Sequence, residues 1–162
     1  VVPVAISYEF DPTGLLKTQE FLNKKRDPDF KKSFKEDLNN MLLGIRGKKG
    51  KVHFDFGKPL DDELEVLDTA KNSKQQLEFL TNIIDRSIHT NYRLNPVNYV
   101  AYDWLHASTG FEDKYSPEEK EKYIQFFQTQ IDQLAAHEQA DGLQYLLGMY
   151  ANPVVNANQY ED

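Results

Sequence analysis

The chain opens on Val1-Val2-Pro3-Val4-Ala5-Ile6, six apolar residues with a proline among them, and no other feature restricts the possible folds as much. A run this short and this rich in valine and isoleucine reads as a strand rather than a helix. It is apolar at successive positions, which predicts a strand covered on both faces, as in a parallel sheet, running to about Tyr8. Such a strand needs neighbours on either side, and only one more strand is legible. Val52-His53-Phe54-Asp55-Phe56 alternates apolar and polar residues, which predicts a strand with Val52, Phe54 and Phe56 facing inward. Two strands do not complete a sheet. The remaining strands are therefore expected upstream of Val1 or from another molecule, and the chain reads as part of a longer protein.

Helical patterns occupy most of the rest. Asp11-Pro12-Thr13-Gly14 predicts a turn, and Leu15 to Lys25 a short helix with Leu15, Thr18 and Leu22 on one side. Asp27-Pro28 has the chemistry of a helix start. Phe30, Phe34, Leu38, Met41 and Leu42 follow at helical spacing, with Gly44 placed to end the helix in the left-handed conformation. Ser73 to Tyr92 predicts a long helix burying Leu77, Leu80, Ile84 and Ile88, stopped by Asn95-Pro96. A further helix is expected from Asn98 to Ala107, carrying Tyr99, Tyr102, Trp104 and Leu105. Ser116-Pro117-Glu118-Glu119 is a capping box with proline at the first helical position, and the helix after it should bury Tyr123, Phe127, Ile131 and Leu134. A last helix is expected from Ala140 to Tyr150, before a polar tail.

Charge and composition narrow the function classes. The formal net charge of -7 argues against a nucleic-acid partner, which selects a basic face. It also weakens docking to anionic lipid by overall charge alone, although a local basic patch remains compatible with it. The chain has no cysteine, which excludes disulfides, thiolate catalysis and zinc-thiolate sites. It contains no apolar run of about 18 residues, the length a membrane-spanning helix needs.

The residues themselves advertise little chemistry. His53 and Asp55 stand two apart on one strand face, which fits a metal pair or, more commonly, a solvated face. His137, Glu138 and Asp141 fit a metal site or a helix end, and the helix end is favoured. His89 reads as surface, and His106 as a cation near a helix C-terminus. Gly44 to Gly50 carries glycines and cations that suit a phosphate cradle. It lacks the ending of a P-loop and precedes a strand, so a helix-to-strand turn is the favoured role. No Gly-x-Ser-x-Gly or His-Glu-x-x-His motif occurs.

Val2-Pro3-Val4-Ala5-Ile6-Ser7-Tyr8-Glu9, with Asp11-Pro12 after it, resembles the fourth conserved block of the glycerol-3-phosphate/lysophosphatidic acid acyltransferase family. Val52-His53-Phe54-Asp55-Phe56-Gly57-Lys58-Pro59-Leu60 is similar to the strand ending in Gly-Lys-Pro that follows this block in the family. The stretches Asp27 to Leu60, Asn91 to Asp103 and Met149 to Pro153 resemble a Bacteroidetes-type branch of the 1-acyl-sn-glycerol-3-phosphate acyltransferases. The resemblance implies acyl transfer from acyl-CoA or acyl carrier protein, as co-substrate, to a glycerophosphate or lysophosphatidate hydroxyl, with no cofactor. It also implies a protein held at the cytoplasmic side of a membrane. The family's base and its orienting carboxylate lie in His-x-x-x-x-Asp, and a Glu-Gly-Thr-Arg string helps bind the acceptor phosphate.

Neither string is in this chain. The fifth residues after the four histidines are Lys58, Leu94, Phe111 and Gly142. The resemblance thus implies lysolipid and acyl-donor binding mainly through upstream residues, and no catalytic or metal-binding residue here. Val2, Pro3, Val4, Ala5 and Ile6 alone carry over, as a strand beside the substrate pocket or as a plain buried strand. The expected class is α/β: an incomplete acyltransferase-type domain over residues 1–66, then a mainly helical extension over 67–162. This part alone is expected to be soluble and inactive. The alternative is a non-catalytic helical module that binds a protein partner through Tyr99, Tyr102, Trp104, Phe111 and Tyr115.

Overall fold

The computed structural model describes residues 1–67 and 72–160. The described chain is mostly helical, with one two-stranded antiparallel sheet. In order it forms β1 (Val4–Tyr8), α1 (Gly14–Arg26), α2 (Phe34–Arg46), β2 (Val52–Phe56), α3 (Asp61–Leu67), α4 (Ser73–Asn91), α5 (Pro96–His106), a single 3-10 turn (Glu112–Lys114), α6 (Pro117–Ile131) and α7 (Gln139–Asn158). Two compact units divide it. One comprises Tyr8–Lys51 and Leu94–Val154; the other draws on Val1–Ser7, Val52–Arg93 and residues 155–160. The boundary expected at residues 66 and 67 borders 68–71, which lie outside the described residues.

The larger unit holds the apolar core. Tyr123, Phe127 and Ile131 of α6 recur every fourth residue, so one face of the helix is apolar. That face packs with Val97, Val100 and Ala101 of α5, with Leu146, Leu147, Tyr150 and Ala151 of α7, and with Leu22 of α1. Leu134, just past α6, is also buried. Helix starts follow side-chain chemistry. Ser116 accepts from the Glu119 N–H while Glu119 accepts from the Ser116 N–H, and proline fills the first helical position. Asn95 precedes Pro96 in the same way, its N–H donating to Asn98 Oδ1 at 2.8 Å. The expected start at Asn98 is therefore two residues late. The expected end at Tyr150 is early by eight. Helix α7 continues through Pro153 because Ala151 and Val154 are buried, and that packing outweighs the hydrogen bond proline cannot make.

Helix α2 departs furthest from its expected start. Asp27 closes α1, its N–H donating to the Asn23 carbonyl. The next helix begins only after Ser33, which forms a capping box with Glu36. Gly44 lies inside α2. Gly47 ends it in an extended conformation, and Gly50 takes the positive φ of 64°.

The smaller unit contains the pairing of β1 with β2. The Gly57 N–H donates to the Pro3 carbonyl at 2.9 Å, and the Leu60 N–H to the Val1 carbonyl at 2.9 Å. Numbers fall on one strand as they rise on the other, so the pair is antiparallel, not parallel as expected. Nor is β1 covered on both faces. Pro3, Ala5 and Ser7 are buried while Val2 and Ile6 are exposed. The covered face carries the small residues, and the bulky ones point to solvent. Strand β2 is reversed relative to expectation: Phe54 and Phe56 are 54% and 72% exposed and Val52 is exposed too, while His53 and Asp55 are half-buried. Alternation fixes which residues share a face but not which face is covered. On α4, Leu80, Ile84 and Ile88 are half-buried and Leu77 is exposed, so its expected buried face is only partly covered.

These differences set an order of sensitivity to truncation. Phe127→Ala should lower the unfolding free energy by about 3–5 kcal/mol. Phe56→Ala should change it by no more than about 0.5 kcal/mol. Urea denaturation followed by far-ultraviolet circular dichroism measures both.

Candidate functional site

The strand singled out by sequence divides in two. Pro3 and Ala5 are buried, Val4 is half-buried, and Val2 and Ile6 are exposed. The antiparallel register sets Ile6 across from Phe54 and Val4 across from Phe56. Val2, Ile6, Val52, Phe54 and Phe56 thus make an outward apolar sheet face. Buried apolar side chains are few in this unit: among the described residues outside the larger unit, only Ala5 and Leu60 belong to the apolar core.

Immediately after β1, within the larger unit, Glu9 forms a buried acidic site held by three hydrogen bonds. Its carboxylate is buried and accepts from Lys122 Nζ at 2.6 Å, the Tyr123 hydroxyl at 2.8 Å and the Lys51 N–H at 3.2 Å. Burial by itself pushes the carboxyl upward; the bonds from Lys122, Tyr123 and Lys51 outweigh it and hold the group below the ordinary glutamate range. The reverse holds for Tyr123, where burial and the bonded carboxylate both push the phenol up. Gly50 permits the approach, since a Cβ there would collide with the Glu9 carboxylate. Both carboxylate oxygens accept from donors, so Glu9 is suited to joining segments. Its two α6 partners are 113 and 114 residues away in sequence, and no local spacing points to them.

Two further polar centres fasten α5. Asp103 is buried and accepts from the Tyr115 hydroxyl at 2.8 Å and the Phe111 N–H at 3.1 Å, while its Oδ1 has no partner. Asn98 donates from Nδ2 to the Tyr150 carbonyl at 2.9 Å, and the Tyr150 hydroxyl accepts from the Asp11 N–H at 2.7 Å. Of the aromatic residues considered for partner binding, Tyr115 is buried and the other four are half-buried. Tyr99 and Tyr102 lie 5.2 and 5.1 Å from the Phe111 ring, and Trp104 lies 6.1 Å from Phe127.

The histidines are dispersed. His53 Nε2 stands 4.0 Å from Asp55 Oδ2, with no third acidic or imidazole ligand grouped with them among the described residues. His89 stacks on Tyr160 at 5.7 Å. His106, at the end of α5, lies 4.4 Å from the Tyr102 ring and borders a cavity of about 460 Å3 shared with Tyr145, Gly148, Met149 and Asn152. The lining of that cavity includes no carboxylate to orient the imidazole. Glu138 and Asp141 pair with Arg26 and Lys25 of α1, at 3.4 and 2.6 Å, so they tie helices together.

The Gly44–Gly50 connection is a helix-to-strand turn. Lys49 Nζ donates to the carbonyls of Ile45 and Gly47 at 3.0 and 3.2 Å, where it satisfies the helix end and its dipole. Preceding it, α2 has no buried residue. Phe34, Leu38, Met41, Leu42 and Ile45 all face solvent, with Phe34, Met41 and Ile45 at 85%, 65% and 74% exposure. The stripe itself was legible in the sequence, but its outward direction was not.

Replacing Glu9 tests the joining role. Glu9→Gln should destabilise the protein by about 1–3 kcal/mol at neutral pH, because it weakens bonds made to a charged acceptor. A carboxyl held below its ordinary range adds stability that is present above that range and lost as pH falls through the folded value. The acid limb of the stability profile should therefore be shallower in Glu9→Gln. It should not be flat, because Asp11 is also held low: burial raises it, but bonds from Lys17 and Thr13 prevail. Unfolding midpoints across the carboxylate pH range provide the measurement.

No protein-family model, curated protein or solved structure matches the chain.

Proposed function

We propose that the chain is the carboxyl-terminal part of a glycerophospholipid acyltransferase, with the catalytic base supplied by residues outside it. The longer protein moves a fatty acyl group from acyl-CoA or acyl carrier protein to a glycerophosphate or lysophosphatidate hydroxyl, at the cytoplasmic face of a membrane. No helix among the described residues is long and apolar enough to cross a bilayer. In this reading the association is peripheral here, or made elsewhere in the protein.

The supporting observation is the sheet. The two strings that resemble the family's fourth block and its Gly-Lys-Pro strand contain the two strands that pair. Their shared outward face is apolar, and the unit around them buries few apolar side chains of its own. A solvated face bearing Ile6, Phe54 and Phe56 is what an incomplete layer leaves when its covering layer belongs to other residues. Val2, Val4 and Ile6 then border the acyl or acceptor pocket from this side, while Pro3 and Ala5 anchor the strand beneath.

Sequencing the reading frame upstream of Val1 tests this first. The expected result is a His-x-x-x-x-Asp followed by a Glu-Gly-Thr-Arg-like string. A start codon directly before Val1 without them overturns the proposal. Purified residues 1–162 should give no lysophosphatidate acylation from acyl-CoA in a thiol-release assay, and clear turnover would contradict the assignment of the base to other residues.

A further inference from the structure

Helix α2 is built inside out for a helix lying on a water-soluble protein. One turn spans 3.6 residues, so Met41, Phe34, Ile45, Leu38 and Leu42 fall on a continuous arc of about 100°. That arc is the solvent side. The opposite side carries Glu36, Asn40, Gly44 and Gly47. Glu36 and Asn40 share a small cavity with Leu16, Gln19 and Asn23 of α1. A Cβ on Gly44 would meet Thr13 at 3.7 Å, and one on Gly47 would collide with Pro12. The helix is thus seated by its polar and glycine face, close against the Asp11–Thr13 turn.

The charges around the arc are equally uneven. Ten of the nineteen Lys and Arg residues fall between Lys24 and Lys51, against four of the twenty-six Asp and Glu. This segment is strongly basic in a chain whose net charge is -7. Lys35 and Arg46 border the arc on one side, and Lys31 and Lys48 lie beyond its two ends. Among the described residues these four cations form no ion pair.

We propose that α2 docks on an anionic phospholipid surface, lying in the plane of the interface with Phe34, Leu38, Met41, Leu42 and Ile45 in the acyl boundary and Lys31, Lys35, Arg46 and Lys48 among the headgroups. Large apolar side chains on one arc with lysine and arginine at its border match an interfacial helix. A protein interface core is instead depleted in lysine. The outward sheet face of β1 and β2 is a different surface. This inference does not rest on the acyltransferase reading, since a peripheral protein of any activity could use the helix.

The test is flotation of the 162-residue chain with vesicles of phosphatidylcholine alone and of phosphatidylcholine with about 30 mol% phosphatidylglycerol. The expected result is capture by the anionic vesicles only, weakened by added salt. Ile45→Glu and, separately, Met41→Glu should each reduce the bound fraction at least about tenfold. Both sites are solvent-exposed, so circular dichroism and the urea midpoint should match those of the parent. Lys48→Glu with Arg46→Glu should weaken binding without touching the apolar arc. Because the chain has no cysteine, Met41→Cys can carry an environment-sensitive dye; its emission should shift blue on anionic vesicles, while the same dye at Glu118→Cys should not. The proposal is overturned if the folded parent ignores anionic vesicles, or if both glutamate variants still bind. It is also overturned if the arc proves to bury itself in a second copy, seen as a dimer that Ile45→Glu dissolves without any vesicle capture.

Discussion

A carboxylate taken out of water must bring donors with it, and Glu9 brings three. Lys122 and Tyr123 reach it from α6, and the Lys51 N–H reaches it from the end of the glycine-rich turn. The bonds join the segment after β1 to α6, and the turn after α2 to both. Tyr123 closes the arrangement, because its hydroxyl meets Glu9 while its ring is buried in the core. Tyr150 repeats the device: its hydroxyl holds the Asp11 N–H, its carbonyl holds Asn98, and its ring lies 5.1 Å from Phe127. The larger unit is thus an apolar core tied at its rim by tyrosines whose polar ends have fixed partners.

Apolar side chains are distributed unevenly around that core. In the larger unit α5, α6 and α7 bury their stripes against one another. In the smaller unit the sheet covers Pro3, Ala5 and Ser7 and turns Ile6, Phe54 and Phe56 outward. Helix α2 turns a whole stripe outward while seating itself on glycines. Two exposed apolar surfaces result, one on the sheet and one on α2. The helix face is bordered on one side by Lys35 and Arg46.

Legibility followed the range of the interactions involved. The capping box at Ser116, the Asn95-Pro96 break and the spacing of Tyr123, Phe127 and Ile131 could be read directly, because caps and periods act within one or two turns. The same kind of signal, Ser33 with Glu36, marked the true start of α2; Asp27-Pro28 obscured it, because a residue that can cap a helix start can equally close the previous helix. The Glu9 site left no local trace, since Lys51 lies 42 residues away and its two α6 partners more than a hundred.

The sequence by itself marked both strands and most of the helices, though not α3 or the start of α2, and it determined which residues share a face and that His-x-x-x-x-Asp is not among these 162 residues. Those properties depend on backbone periodicity, on capping groups within a few residues of each other, and on the order of the residues. The tertiary structure decided the direction of every face: that β1 and β2 run antiparallel, that Phe54 and Phe56 point to solvent, and that the stripe of α2 is turned away from the body. A period is the same whichever side is covered. The close approach to Pro12 that Gly47 allows, and the small side chains of Pro3, Ala5 and Ser7 on the covered face of the sheet, accompany the choice of which side is covered and which is left exposed.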